Sequence, residues 1–306
     1  MSMRIVFFGN PEFCFQPLCK LHDSNHSIVS VVTNIDKKSG RGLKLTPSFV
    51  KKTALELDIP IIEVDDIKSK EFEEILISLK ADLFVVVAFK FLPDSIINIP
   101  KYGSINIHPS LLPKYRGSSP IQYALLNGDI ETGVSIIHLN NKIDSGRILG
   151  QKKNKIDRDA NFGNMYEKLA YLGSQLLLEI IDNIQNNQIT PISQDDSQKT
   201  LAPKIKKEQY KINWETDSRR IHNQIRAFDP YPGAYSFING KRIKLFSSLR
   251  IEDNKNYINA KPGQLIIDGD SLFIKANKGI VCVSDIQLEG KNRMSAHQFI
   301  KTLHNK

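Results

Sequence analysis

Along the first half of the chain, short apolar runs alternate with stretches whose apolar positions recur every three or four residues. Arg4–Phe8 reads as a strand that ends in a Gly9-Asn10-Pro11 turn, and Glu12–Leu21 has helical spacing. Ile28–Thr33 is a second strand. Beyond a polar loop, Thr46 and Pro47 suit the N-cap and first residue of a helix over Ser48–Leu57, and Ser69–Leu79 predicts another. Asp82–Phe89 is almost unbroken apolar sequence, the pattern of a strand covered on both faces. A strand ending at His108, a helix opened by Ser118-Ser119-Pro120, a strand over Gly133–Leu139 and a long helix from about Asn164 to Ile184 complete this half. Strands alternating with helices predict a parallel, right-handed α/β sheet.

From Asn186 to Lys207 the chain is polar and rich in turn residues, and past it the pattern changes. Thr216 would cap a helix running to Ala227. Tyr235–Phe246 has Asn239-Gly240 at its centre, the signal of a two-residue hairpin. Leu265–Ile267, Leu272–Lys275 and Ile280–Leu288 are short apolar runs divided by Asp268-Gly269 and Lys278-Gly279, which predicts a small antiparallel barrel. The expected organisation is a domain over residues 1–188, a linker over 189–207 and a second domain over 208–306. That agrees with 306 residues at about 150 per domain.

Charge sharpens this division. The net charge is +9; residues 1–200 hold 23 basic and 23 acidic side chains, and residues 201–306 hold 19 and 10. A neutral domain followed by a basic one suits chemistry in the first and a polyanion partner for the second. A lysine-rich solvated surface would give the same count. No apolar run reaches the roughly 18 residues of a membrane span, and Leu83–Leu92 is interrupted by Lys90, so no membrane partner is expected. The N-terminal apolar run is too short for a signal peptide. Cys14, Cys19 and Cys282 lack metal spacing and read as free thiols of a cytoplasmic protein.

One stretch combines features that a purely structural strand does not need: Ser104–Pro120, SINIHPSLLPKYRGSSP. Asn106 and His108 are two apart on a strand and share a face, while Ile105 and Ile107 fill the other. Pro109 ends the ladder, at the carboxyl strand end where open α/β sheets place ligands. A carboxamide and an imidazolium are both donors and suit an oxyanion. A histidine on an apolar strand is also a common structural residue, and spacing alone leaves both readings open. Asp144, in NKIDSG after the next strand, is a candidate third partner, although Asp-Ser-Gly is equally good turn chemistry. The remaining histidines show no ligand spacing and Gly9-Asn10-Pro11 is no dinucleotide fingerprint, so neither metal nor nicotinamide cofactor is expected. Trp214 reads as a packing anchor between domains rather than a base-stacking platform.

SLLPKYRG (Ser110–Gly117), preceded by Asn106-x-His108 and followed by Asp144-Ser145-Gly146, resembles the 10-formyltetrahydrofolate-dependent formyltransferases. The resemblance extends over nearly the whole chain, through RIVFFG at Arg4–Gly9, SGRGLK at Ser39–Lys44, Pro120–Gln122, Glu131–Gly133, Ile212–Trp214 and Arg226–Phe228. It implies an α/β, Rossmann-like catalytic domain followed by a small OB-like antiparallel β-barrel. It also implies that Asn106 and protonated His108 stabilise an oxyanion, while Asp144 holds His108 charged and helps remove the attacking amine's proton. The cosubstrate would be 10-formyltetrahydrofolate, bound near Phe84–Phe91 and Ile137–Asp144, with Ser110, Leu111, Leu112, Pro113, Phe89 and Leu92 in contact. Family members often carry Tyr-Gly after the Val85–Ala88 strand, where this chain has Phe89-Lys90-Phe91-Leu92-Pro93, a departure that bears on the folate-head contacts.

Within the family, the second-domain matches and the loop Asn34–Leu45 point to members that formylate initiator methionyl-tRNA for translation initiation. Lys37, Lys38, Arg41 and Lys44 of that loop would contact the tRNA backbone, Arg41 foremost. A monomer is expected. A sugar-nucleotide formyltransferase, the hydrolase domain of a formyltetrahydrofolate dehydrogenase and a non-catalytic RNA-binding module are the alternatives.

Overall fold

The computed structural model describes residues 2–39, 44–238, 240–251, 257 and 259–304. In chain order the first part contains β1 (Arg4–Gly9), α1 (Phe15–His22), β2 (Ser27–Asn34), β3 (Lys37–Ser39), β4 (Lys44–Thr46), α2 (Phe49–Glu56), β5 (Ile61–Val64) and α3 (Lys70–Ser78). It continues with β6 (Leu83–Val87), α4 (Asp94–Ile97), β7 (Ser104–His108), α5 (Pro120–Asn127), β8 (Glu131–His138), β9 (Ile148–Lys155) and α6 (Phe162–Gln185).

Seven strands form one sheet in the order β5-β2-β1-β6-β7-β8-β9. β5, β2, β1, β6 and β7 are mutually parallel, as the alternating pattern predicts. β8 departs from it and runs antiparallel to β7, with Ser135 opposite His108 and His138 opposite Ile105. The central strands β1 and β6 are buried on both faces, which explains their unbroken apolar sequences. Val6, Phe8, Val32, Phe72, Leu76, Phe84 and Val86 build the core on one side of the sheet. Each such side chain contributes about 1.5–3 kcal/mol through burial. α6 lies close to β7: a Cβ at Gly173 would stand 3.0 Å from Ile107 Cγ2. The strand that carries Asn106 and His108 is therefore held from behind.

Two helix starts differ from their sequence expectation. Ser48, not Thr46, caps α2 by accepting from Lys51 N at 2.9 Å, because Thr46 is still paired with Lys37 in the β3–β4 ribbon. The helix α7 (Ser218–Ala227) is capped by Asp217, which accepts from Arg220 N. Thr216 instead donates its hydroxyl to Asn213 O.

The last part adds β10 (Ala234–Ile238), β11 (Lys241–Ile251), β12 (Leu265–Asp268), β13 (Ser271–Lys275), β14 (Ile280–Leu288), β15 (Arg293–Ser295) and α8 (Ala296–His304). These strands form an antiparallel sheet in the order β10-β11-β14-β13-β12, with β15 on β14. Gly240 has φ +76 in the tight β10–β11 turn, as the Asn-Gly signal requires; Asn239 lies outside the described residues.

The chain divides into two compact units, residues 1–117, 132–154 and 166–201 in one, and 118–131, 155–165 and 202–306 in the other. The second unit thus includes α5, which packs on α7. Trp214 donates to Ser236 Oγ at 2.8 Å and lies against Gly263, so these contacts fall inside the second unit. Among the described residues no helix is long and apolar enough to cross a membrane.

Candidate active site

The alternation along β7 buries Ile105 and Ile107 completely or nearly so and leaves Asn106 half-exposed. His108 is itself buried at 4 % exposure, and its ring is fixed by the loop that follows. The Nε2–H donates to Tyr115 O at 2.9 Å, and Nδ1 stands 3.6 Å from Asp144 Oδ2. Both ring nitrogens therefore face acceptors, a setting in which the ring can carry two N–H bonds at once.

The 110–117 loop curls back to supply that carbonyl. Ser110 Oγ donates to Lys114 O at 2.7 Å, and Tyr115 sits in the left-handed region at φ +63 with its N–H donating to Thr200 Oγ1. Ser135, on β8 opposite His108, donates to Ser110 O at 2.6 Å and accepts from Leu112 N and Gln151 Nε2. The loop is thus tied to the sheet at both ends of its apolar part.

Asp144 arrives from the segment after β8. Its backbone is left-handed, φ +48, and Oδ2 accepts from Gly117 N at 2.8 Å. Two residues on, only glycine fits: a Cβ at Gly146 would stand 1.6 Å from His138 O. Among the described residues no three His, Cys, Asp or Glu side chains gather as a metal-binding set. The arrangement offers a carboxamide, a ring nitrogen and a carboxylate at a strand end, a set able to polarise a carbonyl and accept a proton.

Residues 3–181 match the formyl transferase family and residues 204–304 the C-terminal domain of formyl transferases. The chain belongs to the formyl transferase family. The methionyl-tRNA formyltransferase of Listeria innocua serovar 6a is 40% identical over 299 residues, covering 97% of this chain and 95% of that protein. The methionyl-tRNA formyltransferase of Thermodesulfovibrio yellowstonii is 40% identical over 301 residues, or 98% and 96%. Among solved structures, HypX from Aquifex aeolicus in complex with tetrahydrofolic acid matches with a TM-score of 0.66 at 18% identity, over 98% of this chain and 47% of that one. At that identity the likeness concerns the fold.

Within this formyl transferase, His108 and Asp144 come together, and Asn106 sits two positions before His108 on the same strand. Ser110 and Leu112 are buried inside the loop, with Leu112 packed on Ile137 and Ile148, while Leu111 and Pro113 are half-exposed. Ala88 takes φ +47 at the end of β6 and turns the chain out of the sheet. Phe89 then packs edge-on against Phe8 at 5.7 Å, and Leu92, at 4 % exposure, belongs to the core cluster. The side chain of Leu92 therefore serves the core, while Phe91 is exposed. Lys37 is exposed on β3; Lys38 and Lys44 lie on the paired strands of the β3–β4 ribbon. Arg41 lies outside the described residues.

The stretch 189–207, expected as a linker, holds residues that also fix the 110–117 loop. Thr200 accepts from Tyr115 N and its carbonyl accepts from Arg116 N, while Gln194 and Asp196 receive the buried Arg116 guanidinium. The available signal was Arg116 itself, since a guanidinium inside an apolar motif must find acceptors.

Proposed function

We propose that this formyl transferase moves the formyl group of 10-formyltetrahydrofolate to the free α-amine of methionyl-initiator tRNA, as a cytoplasmic monomer serving translation initiation. The observation that carries the reading is the 40% identity to methionyl-tRNA formyltransferases across both domains and 97% of the chain. The neutral first domain, over residues 1–188, would hold the chemistry. The basic domain over 208–306, joined to it by 189–207, would hold RNA together with Lys37, Lys38, Arg41 and Lys44.

The residues present fit a folate-borne formyl group, since they combine amide and ring N–H donors with a carboxylate. When bound, 10-formyltetrahydrofolate supplies an electrophilic carbonyl carbon on N10. Asn106 then donates its amide N–H to the formyl oxygen as negative charge develops there. His108 donates from Nδ1, because Nε2 is engaged by Tyr115 O and 3.6 Å to Asp144 is too long for a hydrogen bond. Asp144 faces the ring across that gap and accepts the amine proton, directly or through water; as the carbon–N10 bond breaks, N10 takes up that proton and tetrahydrofolate leaves. Each donor to the developing charge is worth about 2.7–4 kcal/mol.

Incubating the protein with formyl donor and either charged initiator tRNA or an amino-sugar nucleotide tests the acceptor. Formyl product on the tRNA alone is expected, and product on the sugar alone would overturn the assignment. Asn106→Ala and Asp144→Asn are each expected to lower formyl transfer by about 100-fold or more in a folded protein. Near-normal turnover in either would remove that residue from the mechanism.

A further inference from the structure

We infer that Gln194 is a positioning residue for this site: one side-chain amide ties the Asp144 turn to the Arg116 end of the 110–117 loop. The inference rests on the catalytic reading of Asp144 given above. Gln194 Nε2 donates to Asp144 O at 2.9 Å and to Gly146 O at 2.8 Å, so both carbonyls of the left-handed turn converge on one NH2 group. Its Oε1 accepts from Arg116 Nε at 3.0 Å and Nη2 at 2.8 Å. Arg116 is 7 % exposed and is followed by Gly117, whose N–H holds Asp144 Oδ2. The carboxylate is thereby fixed from two directions, through its own carbonyl by Gln194 and through Oδ2 by the residue after Arg116.

Gln194 can reach both loops because its segment is anchored on each side. Ile192 and Ile148 exchange both backbone hydrogen bonds, and Arg116 N donates to Thr200 O. The residue is neutral, and the chemistry of its two partners explains why. Two carbonyls need two N–H donors and a guanidinium needs an acceptor, and a carboxamide presents all of these from one planar group. Glutamate would satisfy Arg116 with a stronger, charge-assisted pair but would turn a carboxylate oxygen toward two carbonyl oxygens. A misplacement of about 1 Å at a proton-accepting group can lower the rate about 100-fold.

This difference makes Gln194→Glu the informative variant, with Gln194→Ala beside it to remove both halves of the contact. In single-turnover formyl transfer to charged initiator tRNA, Gln194→Glu is expected to slow the chemical step by about 30-fold or more, while KM for donor and acceptor stays within about threefold. In an Asp144→Asn background the same change should add less than about threefold, because the group it positions is already gone. A Gln194→Glu rate within about threefold of the parent, a loss expressed only in KM, or full additivity with Asp144→Asn would each overturn the inference. Loss of cooperative thermal unfolding in Gln194→Glu would overturn it too, since the residue would then hold the fold and not the site. Failure of the catalytic reading is seen separately, as normal turnover in Asp144→Asn alone.

Discussion

Substituting Gly146 by alanine should slow formyl transfer without unfolding the protein, and the structure sets the size of the effect. The added Cβ would stand 1.6 Å from His138 O, where real contacts of this kind do not fall below 3.0 Å, so the two must separate by 3.0 − 1.6 = 1.4 Å. The β8 side cannot yield freely. His138 N–H donates to Arg147 O at 2.9 Å, and breaking that bond costs about 0.5–1.5 kcal/mol. The displacement falls on the turn that holds Asp144. If it carries Oδ2 away from His108, the 3.6 Å separation becomes 3.6 + 1.4 = 5.0 Å. At an effective dielectric constant of about 20, the attraction between the two charges then drops from about 4.6 to about 3.3 kcal/mol. That difference of about 1.3 kcal/mol is close to tenfold in rate. On the proposed mechanism the carboxylate is also drawn from the amine proton it would accept, and the combined loss should approach about 100-fold. The measurement is single-turnover transfer to charged initiator tRNA at saturating donor, with thermal unfolding as the check on the fold. A folded Gly146→Ala protein within about threefold of the parent rate would refute the reasoning, because the position of Asp144 would then not limit the reaction.

Two other outcomes follow from charge. If Arg41 meets the RNA backbone, tRNA affinity should fall steeply with salt, and Arg41→Ala should flatten the log–log slope by about 0.7–0.9; an unchanged slope would remove the contact. His222 titrates below its ordinary value chiefly because burial disfavours the charged ring, although the Arg158 carbonyl partly opposes this. Above its unfolded-state value the ring is neutral whether the chain is folded or not. As pH falls below about 6.5 the unfolded chain takes up a proton that the folded one resists, so stability is lost through that window. The melting temperature should therefore drop less between pH 7.5 and 5 in His222→Gln than in the parent, and equal drops would exclude the histidine as a source.

The parts of the molecule that could be read in the sequence are those whose spatial neighbours are also neighbours along the chain. Arg4–Phe8 and Asp82–Phe89 are apolar throughout because β1 and β6 are covered on both faces. The co-facial pair of Asn106 and His108 follows from a period of two. β9 escaped notice because only Ile148 and Leu149 are buried, and the rest alternates half-buried positions with exposed ones in a lysine-rich run, which reads as a polar loop. The shifted caps have the same origin: Thr46 was an acceptable cap until the ribbon claimed it, and a ribbon of three-residue strands leaves little periodicity to read.

Gln194 lies at the far end of this scale. Nothing near it in sequence distinguishes Ile192–Thr200 from an extended tether. Its role exists only once Ile192 has paired with Ile148, 44 positions earlier, and the chain has closed on a loop that begins at Ser110. A spacer would need only length and solubility, which many polar residues provide. A strap that must donate to two carbonyls and accept from a guanidinium admits far fewer. The segment between the two formyl transferase domains is therefore constrained by the chemistry of the first, so lengthening it before Gln194 should disturb catalysis sooner than lengthening it after Thr200.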